Sequence, residues 1–234
     1  MKIRTWISAA PAVLLVASAG LAHAEVKTSA SIGAYSDYRL RGMSLSDKTA
    51  VMQGSIEASV PLSDNVSIFA GLWGSSLDKE AGAGALEADL YGGVAVTTGD
   101  LSWKATYLRI VFPDDSPADI DFDQYAASVS FPLGPVGGTV GVVHDEYNGG
   151  TQSTYVYGSG SYTVPDTPLS LKATLGYEDG DPFDGKWNWG LGVGYTYKAV
   201  TFGLEYIDTD TQTIAATVKD LTDSTVVVSL TSSF

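Results

Sequence analysis

Apolar and polar residues alternate along most of this chain, and the period is two. In residues 51–62, Met52, Ile56, Ala58, Val60 and Leu62 fall on one face, with Gln53, Ser55, Glu57 and Ser59 on the other. Val66, Ile68, Ala70 and Leu72 form another apolar row. In residues 86–97, Leu86, Ala88, Leu90, Val94 and Val96 oppose Glu87, Asp89, Tyr91 and Thr97. Leu169, Leu171, Ala173, Leu175 and Tyr177 oppose Ser170, Lys172, Thr174 and Gly176. Trp189, Leu191, Val193, Tyr195 and Tyr197 oppose Gly190, Gly192, Gly194 and Thr196. Alternation of this kind predicts strands with one apolar and one polar or bare face, and no stretch after residue 25 carries the spacing of an amphipathic helix.

The connections have their own rhythm. Tight turns are predicted at Ser63-Asp64-Asn65, Thr98-Gly99-Asp100, Gly134-Pro135, 165–168 and Lys198-Ala199, and longer polar links around 41–49, 75–85, 113–121, 147–153, 179–186 and 208–224. Short and long connections in alternation predict an all-β fold, an up-and-down antiparallel transmembrane β-barrel of about twelve strands with turns at one end and loops at the other. Most runs are long enough for a tilted strand to cross a bilayer, which takes about 9–11 residues.

A soluble barrel would turn its apolar rows inward. Three features favour the opposite orientation. A barrel of about eight strands is just filled by its own side chains, so one of about twelve has no dry core of that kind. Aromatics cluster toward the ends of the apolar rows, as an interfacial girdle requires: Trp103, Phe131, Tyr162, Tyr197 and Phe202 at the turn end, Tyr38, Tyr125, Tyr177 and Tyr206 at the loop end. The polar faces carry Arg39, Glu57, Glu87, Asp89, Lys104 and Lys172, which are costly against lipid and natural in a wet lumen.

Both ends of the chain fit export to an outer membrane. Lys2 and Arg4 precede an apolar stretch at 7–21 and the small-x-small site Ala22-His23-Ala24, the layout of a cleaved signal peptide over residues 1–24, with the barrel at 25–234. The last strand puts Val226, Val228, Leu230 and the terminal Phe234 on one face, which resembles the signal read by the barrel assembly machinery, although Ser232 stands where a large apolar residue is more usual. Closure of the barrel requires this strand to pair with the first.

Composition narrows the function. The formal charge is −14 from 13 basic and 27 acidic residues, and loss of Lys2 and Arg4 with the leader takes it to −16 over 210 residues. Such a chain is no nucleic-acid binder, whose footprint would be basic. The absence of Cys removes disulfides, thiolate zinc sites and cysteine nucleophiles. A mean hydropathy of +0.08 argues against a bundle of membrane helices but not against a barrel.

The segment Ser36-Asp37-Tyr38-Arg39-Leu40-Arg41-Gly42-Met43-Ser44-Leu45-Ser46-Asp47, followed by Gln53-Gly54, resembles the S-D-Y-R-[FL]-R-G-x-S-x-S opening of the TorF-type porin family of proteobacterial outer-membrane proteins. Leu86-Glu87-Ala88-Asp89-Leu90-Tyr91-Gly92-Gly93 is similar to that family's E-x-D-[LV]-Y-x-G stretch. The resemblance runs the length of the chain and implies an outer-membrane pore without a settled substrate. If Tyr38 and Leu40 face lipid in a first strand, Asp37, Arg39 and Arg41 face inward near the loop end. The arginines could then pair with lumen carboxylates, either as a selectivity element or as a network that fixes the first loop.

Catalytic chemistry finds little support. An acyl hydrolase, which some barrels of this membrane are, needs a nucleophile, a base and an orienter. Past residue 24 the one His is His144, at a strand end, and no Gly-x-Ser-x-Gly occurs. Asp119-Ile120-Asp121-Phe122-Asp123 opens like a calcium loop, but Gln124 stands at the turn glycine and Ser130 at the closing Glu, so no metal is assigned. The remaining acids, Asp114, Asp115, Asp145, Glu146, Glu178, Asp179, Asp181, Asp184, Asp208 and Asp210 among them, read first as a solvated surface on the long loops, and more sharply as a cation-attracting vestibule or weak divalent sites among lipopolysaccharide phosphates. The glycines of Gly190-Leu191-Gly192-Val193-Gly194 read as a bare patch of lumen wall rather than a dinucleotide loop, because no helix follows.

The expectation is therefore a non-enzymatic, cofactor-free channel in the outer membrane of a Gram-negative bacterium, passing small polar solutes or ions with a mild cation preference. Its surroundings would be outer-membrane lipid and lipopolysaccharide. Pore-lining candidates are Arg39, Arg41, Glu57, Glu87, Asp89, Lys104, Lys172 and Glu205. A closed structural or adhesive barrel, plugged by its own arginine–carboxylate set, is the alternative.

Overall fold

The computed structural model describes residues 25–79, 84–113, 120–181, 183–210 and 219–234. The leader expected at 1–24, and Asp114, Asp115 and Asp119 among the loop acids, lie outside the described residues. Twelve strands close into a barrel: β1 (Lys27–Tyr35), β4 (Val51–Ser63), β5 (Val66–Ser76), β6 (Leu86–Thr98), β7 (Leu101–Val111), β8 (Phe122–Leu133), β9 (Val136–Tyr147), β10 (Gln152–Thr163), β11 (Leu169–Gly180), β12 (Phe183–Tyr197), β13 (Val200–Thr209) and β14 (Thr225–Ser233). Two short strands, β2 (Arg39–Leu40) and β3 (Met43–Ser44), pair only with each other inside the first loop. A 3-10 turn, Lys219–Thr222, precedes β14. Every ladder is antiparallel and joins strands consecutive around the wall, and β14 meets β1 to close it.

The alternation in sequence becomes the two faces of the wall. Met52, Ile56, Leu72, Leu90, Val156, Leu175, Leu191, Leu204, Val226, Val228 and Leu230 are all exposed on the outside. Their polar neighbours point inward, and the pairing register keeps like with like: Leu171 lies opposite Val193, and Lys172 opposite Gly192. A one-residue slip would bring polar side chains to the outside, so the register is held by both faces at once. Pro61 has no amide to donate, and the ladder between β4 and β5 shifts register there, between Pro61 and Ser63. At the seam, Phe234 and Ala30 exchange backbone hydrogen bonds of 2.9 and 3.1 Å, and Phe234 lies 75% exposed at the rim.

All five tight turns form where the sequence places them, in the gaps β4–β5, β6–β7, β8–β9, β10–β11 and β12–β13. The long connections differ. Strands β9 and β10 run into the 147–153 link and leave only residues 148–151 between them, and β11 and β12 occupy most of 179–186. Asp145 and Glu178 accordingly belong to strands and are buried, which corrects their reading as solvated loop acids. A larger correction concerns 36–47. This segment is not a membrane strand. It folds into the barrel mouth, with Tyr38 facing inward rather than toward lipid, because Asp37, Ser44 and Ser46 are buried in hydrogen bonds to one another and Tyr38 packs on Trp73 and bonds Glu87 of the wall.

Candidate functional site

The first loop, residues 36–50, is organised by one carboxylate. Asp37, 5% exposed, accepts hydrogen bonds from Ser44 Oγ at 2.6 Å and Ser46 Oγ at 3.0 Å, and from Arg39 Nε at 2.5 Å. Ser46 Oγ in turn accepts from the Tyr38 amide, and Ser44 Oγ from the Lys48 amide. These contacts close the segment into a compact hairpin, β2–β3, with Arg41 and Gly42 at its tip. Both tip residues have positive φ, 49° and 91°, as a two-residue hairpin turn of the primed type demands. Gly42 has a second reason to be glycine: a Cβ there would lie 2.7 Å from Thr209 Cβ on the far wall. Arg41 pays a steric cost for its left-handed backbone, and its side chain supplies the reason it is tolerated.

The Arg41 guanidinium reaches β9 and β11, donating to Asp145 Oδ2 at 2.6 Å and to Glu178 Oε1 at 2.5 Å, and its Cζ lies 4.6 Å from the Tyr155 ring centroid on β10. Lys186 of β12 pairs with Glu178 at 2.7 Å. Gln124 donates to Asp145, and Ser153 to both carboxylates. Two cations and two anions thus meet out of water with hydrogen bonds to most of their polar atoms, the condition under which a buried ion set is tolerated. Burial alone would weaken the charge on Arg41, but Glu178 and Asp145 hold its pKa above the ordinary arginine value.

The opposite side of the loop engages β5 and β6. Tyr38 packs on Trp73 at 5.6 Å between centroids and donates its hydroxyl to Glu87 Oε1 at 3.2 Å. Burial first, then the Glu87 and Asp89 charges, push its phenol well above the usual tyrosine range, so Tyr38 is a neutral donor at any physiological pH. Arg39 plays a different part. Its Nη1 donates to the carbonyls of Gly42, Leu221 and Asp223, which ties the hairpin to the last loop. Among the described residues Arg39 therefore pairs with Asp37 of its own loop and with no carboxylate of the wall, which fits the network that fixes the first loop rather than the selectivity element. The hairpin spans the mouth from β5–β6 to β9–β13.

The other six candidates lie on inward faces. Lys104 on β7 reaches Glu57 on β4 at 3.8 Å and sits 4.0 Å above the Phe69 ring. Lys172 on β11 bonds Glu205 on β13 at 2.9 Å. These pairs skip intervening strands, which only the concave inner surface permits. A Cβ at Gly190 would stand 3.0 Å from Glu205 Oε1, so the bare glycine face makes room for that reach. Glu87 and Asp89 are buried on β6, and Glu87 Oε2 and Asp89 Oδ1 have no hydrogen-bond partner among the described residues. The arginine partners the sequence reading missed, Asp145 and Glu178, were detectable: Glu178 continues the Ser170, Lys172, Thr174 and Gly176 row by one more step.

Between the hairpin and β8–β12 lies a cavity of about 660 Å³, walled by Leu40, Met43 and Leu45 on one side and Phe112, Ile120 and Phe122 on the other. Arg41, Asp145, Glu178 and Lys186 also line it. Among the described residues no cluster of three or more His, Cys, Asp or Glu could hold a metal ion, and no helix is long and apolar enough to cross a membrane.

The fold is shared with known channels. The NanC porin aligns with a TM-score of 0.57 at 8% identity, covering 88% of this chain and 99% of that one. The COG4313 outer membrane channel from Pseudomonas putida F1 gives 0.55 at 11% identity over 89% and 95%. The KdgM porin gives 0.54 at 8% over 88% and 99%. At such identities the likeness is one of fold, that of a transmembrane β-barrel. No curated protein matches the sequence. A family model does match, over residues 19–234, and the chain belongs to that family, Gcw_chp, described as bacterial protein of unknown function.

Proposed function

We propose that the protein is a porin-like channel of the TorF type in the outer membrane of a Gram-negative bacterium, exported by its 1–24 leader and inserted with the help of the terminal Val226, Val228, Leu230 and Phe234 row. It passes small polar solutes by diffusion, with a mild preference for cations. The observation that carries this reading is the inversion of the wall: apolar side chains outside, and inside a lining of hydroxyls, glycines and solvated ion pairs that water can fill. Selectivity would rest on Glu57, Glu87, Asp89, Lys104, Lys172 and Glu205 along the wall and on Arg41 at the hairpin tip, because charges at a constriction set the field that a solute crosses. Lipid and lipopolysaccharide would surround the outer face.

The filled mouth favours a second reading, a closed structural barrel, since the hairpin and its ion set occupy the loop end of the lumen. Single-channel recording of the refolded chain separates the two. Discrete ohmic steps, with a salt-gradient reversal potential of the sign for potassium over chloride, are the expected result. A silent bilayer from protein that shows the heat-modifiable migration of a folded barrel would sink the channel and leave the closed form.

A further inference from the structure

We infer that the cavity beside the first-loop hairpin is a binding site for a small organic cation, an ammonium group carried on an apolar or aromatic body, with Glu87 as the anchor of the charged end. Its volume, about 660 Å³, suits a small ligand. Leu40, Met43, Leu45, Phe112, Ile120 and Phe122 give it walls that reward an apolar body. The charge is lopsided: Glu87, Asp145, Glu178 and Asp181 line it against Arg41 and Lys186. Both cations are already held by carboxylates, at 2.5 to 2.7 Å, and so are poorly placed to take an anionic guest. Glu87 is the reverse case. It is 4% exposed, its Oε1 accepts only from Tyr38, and its Oε2 has no hydrogen-bond partner among the described residues. A buried carboxylate oxygen left so is costly, and an arriving N–H donor removes the cost. The site extends the channel reading by naming the solute class met first at the loop end. That role rests on the channel reading, while the binding itself does not.

The test is calorimetric titration of the refolded, detergent-solubilised chain with 2-phenylethylammonium, and with 3-phenylpropionate as an anion of similar shape. The ammonium should bind about tenfold tighter or more than the carboxylate. Glu87→Gln should weaken it by about tenfold, while Lys27→Gln, at the turn end of β1, should leave it unchanged. Equal binding of the two probes, no binding of the ammonium up to about 10 mM, or a folded Glu87→Gln barrel with wild-type affinity would overturn the inference. If Glu87→Gln fails to fold, the comparison of the two probes on the wild-type chain decides alone. Cation binding by a barrel that conducts nothing would uphold the site and reject the channel.

Discussion

At the mouth, Arg41, Asp145, Glu178 and Lys186 keep side-chain exposures of 8% or less. Deeper in the lumen, Lys172 and Glu205 stand 54% and 26% exposed, and Lys104 and Glu57 45% and 29%. The same residue types, on the same inward faces, thus live in two dielectric regimes. The difference comes from the first loop, which fills one end of a barrel whose wall is otherwise similar along its length. Out of water, an ion pair must be completed by further hydrogen bonds or it destabilises, and losing one partner strands the other. In the wet half a pair contributes little to stability and stays free to respond to whatever passes.

Arg41→Ala should break this contrast most severely. It leaves Asp145 and Glu178 with one cation between them, and denaturant unfolding should show a loss of about 3–5 kcal/mol, with larger conductance as the hairpin loses its grip. Unchanged conductance in a folded variant would place the constriction elsewhere. Asp37→Ala attacks the same structure from inside the loop, removing the acceptor of two hydroxyls and one guanidinium, each bond worth about 1.5–3 kcal/mol when charge is involved. The hairpin should detach while the barrel persists, visible as protease cleavage within 36–50. Gly42→Ala should cost about 1–3 kcal/mol, through both its positive φ and the contact with Thr209. Lys172→Gln is the opposite limit. Its stability effect should fall within about 1 kcal/mol, yet the reversal potential should move toward cations because a lumen positive charge is gone.

How far the sequence revealed this contrast follows from what periodicity can encode. Alternation reports which face a residue occupies relative to its neighbours. The strand rows, the five tight turns and the inward orientation of Glu57, Lys104, Lys172 and Glu205 were therefore legible. It does not report whether an alternating segment lies in the wall or folds back inside it. Tyr38 and Leu40 lie two residues apart, as a lipid-facing row would present them, and Tyr38 also has the look of a girdle residue. The clue lay in the polar positions: Asp37, Ser44 and Ser46 are spaced to serve one another, which a lumen wall does not require. Asp145 and Glu178 were hidden differently, since their acidic neighbours Glu146 and Asp179 made each stretch look like a solvated loop.

Apart from the seam, every ladder of the barrel wall joins strands that follow one another in sequence. The wall can therefore zip up by local steps with low contact order, leaving a single long-range event, the meeting of β14 with β1 across about 200 residues. Loop-closure entropy grows only logarithmically with length, so that last step is slowed chiefly by the search for register. A circular permutant that links the two ends at the seam and opens a tight turn such as Gly134-Pro135 would make this ladder local and another one distant. Its assembly rate would then tell whether closure at β1–β14 is the slow step.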